Sequence, residues 1–223
     1  FTNQRTVTVT GITEAGAFIT VNGISVDLQK RMFSKQISLD VGPNLIVVVA
    51  SDSSGNERAV QVHVTFDVQP PLLDIRSPHN GDYTNQDPLS ILGSSEPSAI
   101  IKVNGVRAQL LNSSFEALVG MSEGANTVTV TAQDQAGNLA TQVLMVYLDT
   151  VAPGLTIFSP RDGLWTNQSK VLINGATEQG STMTINGQNT NVVSTIFSGY
   201  VGLLEGANRI ELVAKDPAGN SLS

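Results

Sequence analysis

Oxygen-bearing side chains recur in this chain at a fixed interval. Asp67, Glu96, Asp134 and Asn138 form one set, and Asp149, Glu178, Asp216 and Asn220 stand 82 residues further on. Carboxylate and carbonyl oxygens are hard donors that suit calcium, so each set, gathered at one place, would hold such an ion. A plainer chemistry fits the same residues. An Asp at the first position of a turn hydrogen-bonds the backbone that follows it, which Asp52, Asp134 and Asp216 are each placed to do. Both readings stand on the sequence, and neither involves an EF-hand, whose pattern is absent. Groupings for covalent or acid–base catalysis are missing. The two histidines, His63 and His79, occupy non-equivalent positions. No Gly-x-Ser-x-Gly, His-Glu-x-x-His or phosphate-loop pattern occurs. The chain has no cysteine, which removes disulfides, thiolate metal sites and cysteine nucleophiles. No enzyme activity is expected.

The interval governs the whole chain. Asn-Gly falls at Asn22, Asn104 and Asn186, Thr-Asn-Gln starts at Thr2, Thr84 and Thr166, and Asp-x-x-Gly-Asn starts at Asp52, Asp134 and Asp216. A glycine stands at Gly11, Gly93 and Gly175, and a phenylalanine at Phe33, Phe115 and Phe197. A period this long means one structural unit copied in tandem, divided here as 1–68, 69–150 and 151–223. Within a copy the pattern has period two, as in Val7 and Val9, Ile46 and Val48, or Val60, Val62 and Val64. Such alternation, rich in Val, Ile and Thr, predicts half-buried antiparallel strands. Asn-Gly predicts a two-residue hairpin turn with both central residues at positive φ. Proline-bearing linkers, Phe66–Pro71 and Leu148–Pro153, separate the copies, and a further strand follows each. The count predicts an all-β chain of tandem seven-stranded immunoglobulin-like β-sandwich domains arranged as a rod. The first copy is expected to lack its first strand and the third its last, so the chain is read as a window from a longer protein.

In such a sandwich the chain enters a unit beside its second-to-third and sixth-to-seventh strand loops. Those loops carry Glu178 and Asp216, and the linker delivers Asp149, so the two acidic sets are expected at the joints. Thr-Asn-Gln, placed at the start of each second strand, follows an aromatic residue at Phe1, Tyr83 and Trp165. This predicts either a sugar-contacting edge or backbone hydrogen bonding with the aromatic ring packed on the neighbouring unit.

Composition narrows the partners. Aromatics make up 5% of the chain, so aliphatic residues must fill the cores. A net charge of −7 opposes binding to nucleic acid or anionic lipid. The longest apolar run, Leu45–Ala50, is too short to insert in a membrane.

The linker Leu148–Pro153, Gly175–Glu178, the hairpin Thr184–Gly187, Leu204–Asn208 and Val213–Asn220 resemble bacterial immunoglobulin-like tandem repeats of secreted surface proteins and adhesins. That resemblance implies an extracellular, non-enzymatic structural and adhesive spacer in a larger cell-surface protein or filament, and it supports calcium at the joints. Its partners would be neighbouring repeats and a surface glycan or protein receptor. Two other functions are compatible: a carbohydrate-binding accessory module of a secreted polysaccharide-degrading enzyme, or a homo-polymer subunit using strand complementation.

Overall fold

The computed structural model describes residues 1–223, and every regular element in it is a strand. The chain forms two compact units. One comprises Phe1–Asp74, Gly93–Phe115 and Val130–Gln142, the other Ile75–Leu92, Glu116–Thr129 and Val143–Ser223.

In the first unit, Thr6–Ile12 pairs antiparallel with Met32–Ser38. A second sheet has the order Ile24–Val26, Phe18–Val21, Gly42–Ser51, Glu57–Phe66. The alternation seen in the sequence sends Ile19, Val21, Phe33, Leu39, Ile46 and Phe66 into a shared core between these sheets. In the second unit, one sheet runs Leu155–Ser159, Lys170–Thr177, Ile196–Gly202, Val192–Val193. Its companion runs Gln188–Thr190, Thr182–Ile185, Leu212–Lys215, Ser221–Leu222. Ile173, Met183, Ile185, Phe197 and Ala214 are buried between them.

The middle repeat contributes strands to both units. Its seven main strands are Leu73–Ser77, Leu89–Ser95, Ile100–Val103, Val106–Ala108, Ser114–Val119, Gly124–Gln133 and Leu139–Leu148. Two short strands, Tyr83–Thr84 and Leu110–Leu111, come in addition. Tyr83–Thr84 runs parallel to Tyr147–Leu148. Thr-Asn-Gln therefore does not open the second long strand, which begins at Leu89; Thr84 closes a separate bridge to the last strand of its own repeat. Asp87-Pro88 intervenes, and proline cannot donate to a ladder, so the long strand starts after it.

The recurring glycine and phenylalanine have one physical cause. Gly11 lies opposite Phe33 and Gly175 opposite Phe197 on paired strands, and the ring lies over the glycine. A Cβ on Gly93 would stand 2.5 Å from Phe115 Cζ and 2.6 Å from the Asp74 carbonyl oxygen. At Gly175 it would run into the Thr156 carbonyl oxygen as well as the Phe197 ring. At Gly11 it would meet only the Phe33 ring, at 2.5 Å. Hydrogen is the one substituent that lets the ring close over the strand. Because a backbone oxygen cannot move aside as a ring can, Gly93→Ala and Gly175→Ala should each cost about 1–3 kcal/mol in urea unfolding. Gly11→Ala should cost measurably less, and equal losses at all three positions would contradict this packing.

Candidate functional site: the joints between repeats

Asp-x-x-Gly-Asn folds as a closed turn in each copy. Asp134 N–H donates to the Asn138 carbonyl at 3.1 Å, while Gly137 takes φ of +96°, open to glycine without strain. Asp134 Oδ1 accepts the N–H groups of Gly137 at 2.7 Å and Asn138 at 2.8 Å. Its Oδ2 accepts Asn138 Nδ2 at 2.8 Å. Asp216 repeats this with Gly219 at 2.7 Å, Asn220 N–H at 2.8 Å and Asn220 Nδ2 at 2.9 Å. Asp52 holds Ser54, Asn56 and the Asn56 side chain in the same way.

The turn also reaches outward. Asn138 Nδ2 donates to the Asp67 carbonyl at 3.0 Å, and Asn220 Nδ2 donates to the Asp149 carbonyl at 2.7 Å. One amide thus ties its own turn to the linker ahead of it, at both joints. Linker and turn belong to the first unit in one case and to the second unit in the other. The linker is itself held. Asp67 N–H donates to Thr2 O and Asp149 N–H to Thr84 O, both at 2.9 Å. Asp67 and Asp149 side chains accept the N–H groups of Gln69 and Val151.

Thr-Asn-Gln supplies the rest of the joint, a role the sequence reading did not assign to it. Thr2 and Thr84 accept the Gln4 and Gln86 N–H groups at 3.1 Å through Oγ1. That turns the intervening Asn toward the loop: Asn3 N–H donates to Ala136 O at 3.1 Å, and Asn85 Nδ2 donates to Asn220 Oδ1 at 3.2 Å. The signal was present, since Thr-Asn-Gln and Asp-x-x-Gly-Asn share one period. The aromatic residue beside it does not pack on a neighbouring unit. Tyr83 stacks on Tyr147 of its own repeat, with ring centroids 4.9 Å apart, and Trp165 is 96% exposed.

Asp67, Asp134 and Asn138 are therefore brought together, as are Asp149, Asp216 and Asn220. Glu96 and Glu178 are exposed, and the bonds at those residues are made by their main-chain carbonyls, which accept Ala99 and Ser181 N–H. No three acidic or histidine side chains gather into a group able to hold a metal ion. The amide nitrogens of Asn138 and Asn220, which repel a cation, face the linker carbonyls that an ion would need. In this arrangement the donor set does not fit calcium. Calcium or chelator should accordingly leave the melting temperature within about 1 °C, whereas a clear rise with calcium would mean that the joint rearranges around an ion.

The turn also sets an acid sensitivity. Burial is the largest single influence on the Asp134 carboxyl and raises its pKa. Hydrogen bonds from the Asn138 side chain and from the Asn138, Gly137 and Ala136 N–H groups together outweigh it, leaving the pKa below the ordinary value. At Asp52 the Asn56 side chain is the leading cause of the same lowering. The unfolded chain therefore binds these protons at higher pH than the folded one. Their stabilisation is complete above about pH 4 and is lost as pH falls through the folded values. Asp134→Asn should flatten the loss of urea stability below about pH 4. Asn138→Ala, which removes bonds to both turn and linker, should cost about 1–2 kcal/mol at neutral pH.

Sheets of these orders, carrying their short parallel bridge and joined by hydrogen-bonded linkers, define immunoglobulin-like β-sandwich modules in tandem. The model of the family described as glucodextranase, domain B, matches residues 1–68, 71–150 and 153–223, and the chain belongs to that family. Among curated relatives, bacillopeptidase F of Bacillus subtilis (strain 168) is 28% identical over 168 residues. That stretch is 71% of this chain and 12% of the relative. Among solved structures, the fibronectin(III)-like modules of Clostridium thermocellum CbhA are 16% identical, with 66% of this chain and 87% of that one covered and a TM-score of 0.43. A fragment of a 1.5-MDa bacterial ice-binding adhesin is 18% identical, with 97% and 87% covered and a TM-score of 0.33.

Proposed function

We propose that these repeats are a non-catalytic spacer within a larger extracellular protein, holding the segments on either side at a set separation and orientation. The observation that carries this reading is the joint, built twice from the same atoms: Asn138 to Asp67 O, and Asn220 to Asp149 O. A linker without function in positioning needs no such bond, whereas a spacer needs each copy to leave its predecessor in one direction. Glu123 adds a second restraint at the later linker, accepting Thr150 N–H at 3.2 Å and Thr150 Oγ1–H at 3.0 Å. Membership of the glucodextranase domain B family and likeness to a peptidase many times longer support an accessory role beside other domains. No helix of the chain is long and apolar enough to cross a membrane.

With no native cysteine, spin labels can be placed at Gln61→Cys and Gln133→Cys, both exposed, on either side of the first joint. Dipolar spectroscopy should give one narrow distance distribution that broadens when Asn138→Ala is added. A broad distribution without that substitution would remove the spacer reading.

A further inference from the structure

The middle repeat carries a charge pair that its sister copies lack. Lys102 and Arg107 stand directly opposite each other on the antiparallel hairpin Ile100–Val103 and Val106–Ala108. The same register positions hold Thr20 and Ser25 in the first copy and Thr184 and Asn189 in the third. Like charges directly opposite on a sheet destabilise it, because their side chains share one face at close range. Neither Lys102 nor Arg107 makes an ion pair, although the chain has 19 Asp and Glu residues to choose from. An uncompensated pair in an acidic protein is a place where an anion would be stabilised.

Arg107 also lines a cleft of about 530 Å³, a volume typical of small-ligand sites. Pro97, Ile100 and Leu110 give it aliphatic walls, Ser98 and Gln109 give it neutral hydrogen-bonding groups, and none of its lining residues is acidic. Each part selects a different portion of a ligand. A planar guanidinium matches a carboxylate with two parallel hydrogen bonds. A serine hydroxyl and a glutamine amide can each donate to and accept from sugar hydroxyls. The aliphatic walls suit the C–H face of a pyranose ring. We propose that the middle repeat binds a carboxylate-bearing sugar, a hexuronate, in the cleft beside Arg107 and Lys102. A neutral sugar leaves the paired charges uncompensated, and inorganic phosphate leaves the aliphatic walls uncovered. This site does not depend on the spacer reading, since it lies on one hairpin rather than at a joint.

Titration of the full chain with sodium glucuronate, glucose or inorganic phosphate, followed by amide NMR, tests the proposal. Glucuronate should shift signals from residues 97–110 with a dissociation constant of about 1 mM, and glucose and phosphate should bind at least about tenfold more weakly. The double variant Lys102→Thr, Arg107→Ser carries the residues of the first copy at this position and should fold. It should bind glucuronate at least about tenfold more weakly and, without ligand, should melt at a higher temperature than the original chain. No response to glucuronate at about 20 mM, an equal response to glucose or phosphate, or undiminished binding by the double variant would overturn the proposal.

Discussion

A single carboxamide nitrogen carries two obligations at each joint. Asn138 Nδ2 closes its own turn onto Asp134 and at the same time holds the carbonyl of Asp67; Asn220 does the same with Asp216 and Asp149. A carboxamide suits both tasks because it has two N–H donors fixed in one plane. A carboxylate at that position would repel Asp134, and a hydroxyl would have one proton for two acceptors. The turn and the linker are therefore one hydrogen-bonded system. The glycine of the turn, at positive φ, lets the backbone bring the amide into range.

That system rests on sandwiches whose cores are mostly aliphatic, with one phenylalanine recurring in every copy and Phe66 added in the first. Phe33, Phe115 and Phe197 are buried and lie over a bare glycine on a neighbouring strand. The pairing fixes the position of that strand against its neighbour, since displacement would put a side chain under the ring. Strand position in turn fixes where the hairpin loops fall. Asn22 and Asn186 reinforce this from the opposite side: their side-chain oxygens accept the N–H groups of Val47 and Glu211, each at 2.8 Å, anchoring the Asn-Gly turns to an adjacent strand.

Much of this was legible in the residues, because period-two alternation and Asn-Gly turns report local backbone geometry. The predicted strand around Val7 and Val9 is Thr6–Ile12, and that around Ile46 and Val48 is Gly42–Ser51. The positive φ expected at Asn22, Asn104 and Asn186 is present. Of the expected set Asp67, Glu96, Asp134 and Asn138, the hydrogen bonds join the Asp67 carbonyl, Asn138 and Asp134, while Glu96 takes no part in them. What could not be read was the direction in which a side chain points once it arrives. Oxygen-rich residues in one place suggest a cation; only the orientation of the amide shows nitrogen rather than oxygen aimed at the carbonyl. The parallel bridge at Tyr83–Thr84 was hidden for a related reason: a two-residue pairing leaves no periodicity, and Tyr83 finds its stacking partner 64 positions away at Tyr147. The basic pair at Lys102 and Arg107 is not apparent from spacing, because the two residues lie on different strands and only the register of the hairpin sets them opposite each other.

Hydrogen exchange of side-chain amide protons, followed by NMR, reads the two obligations of the joint carboxamide directly. If one amide joins turn to linker, both Nδ2 protons of Asn138 and both of Asn220 exchange slowly. Fast exchange of either Nδ2 proton at both residues would contradict it.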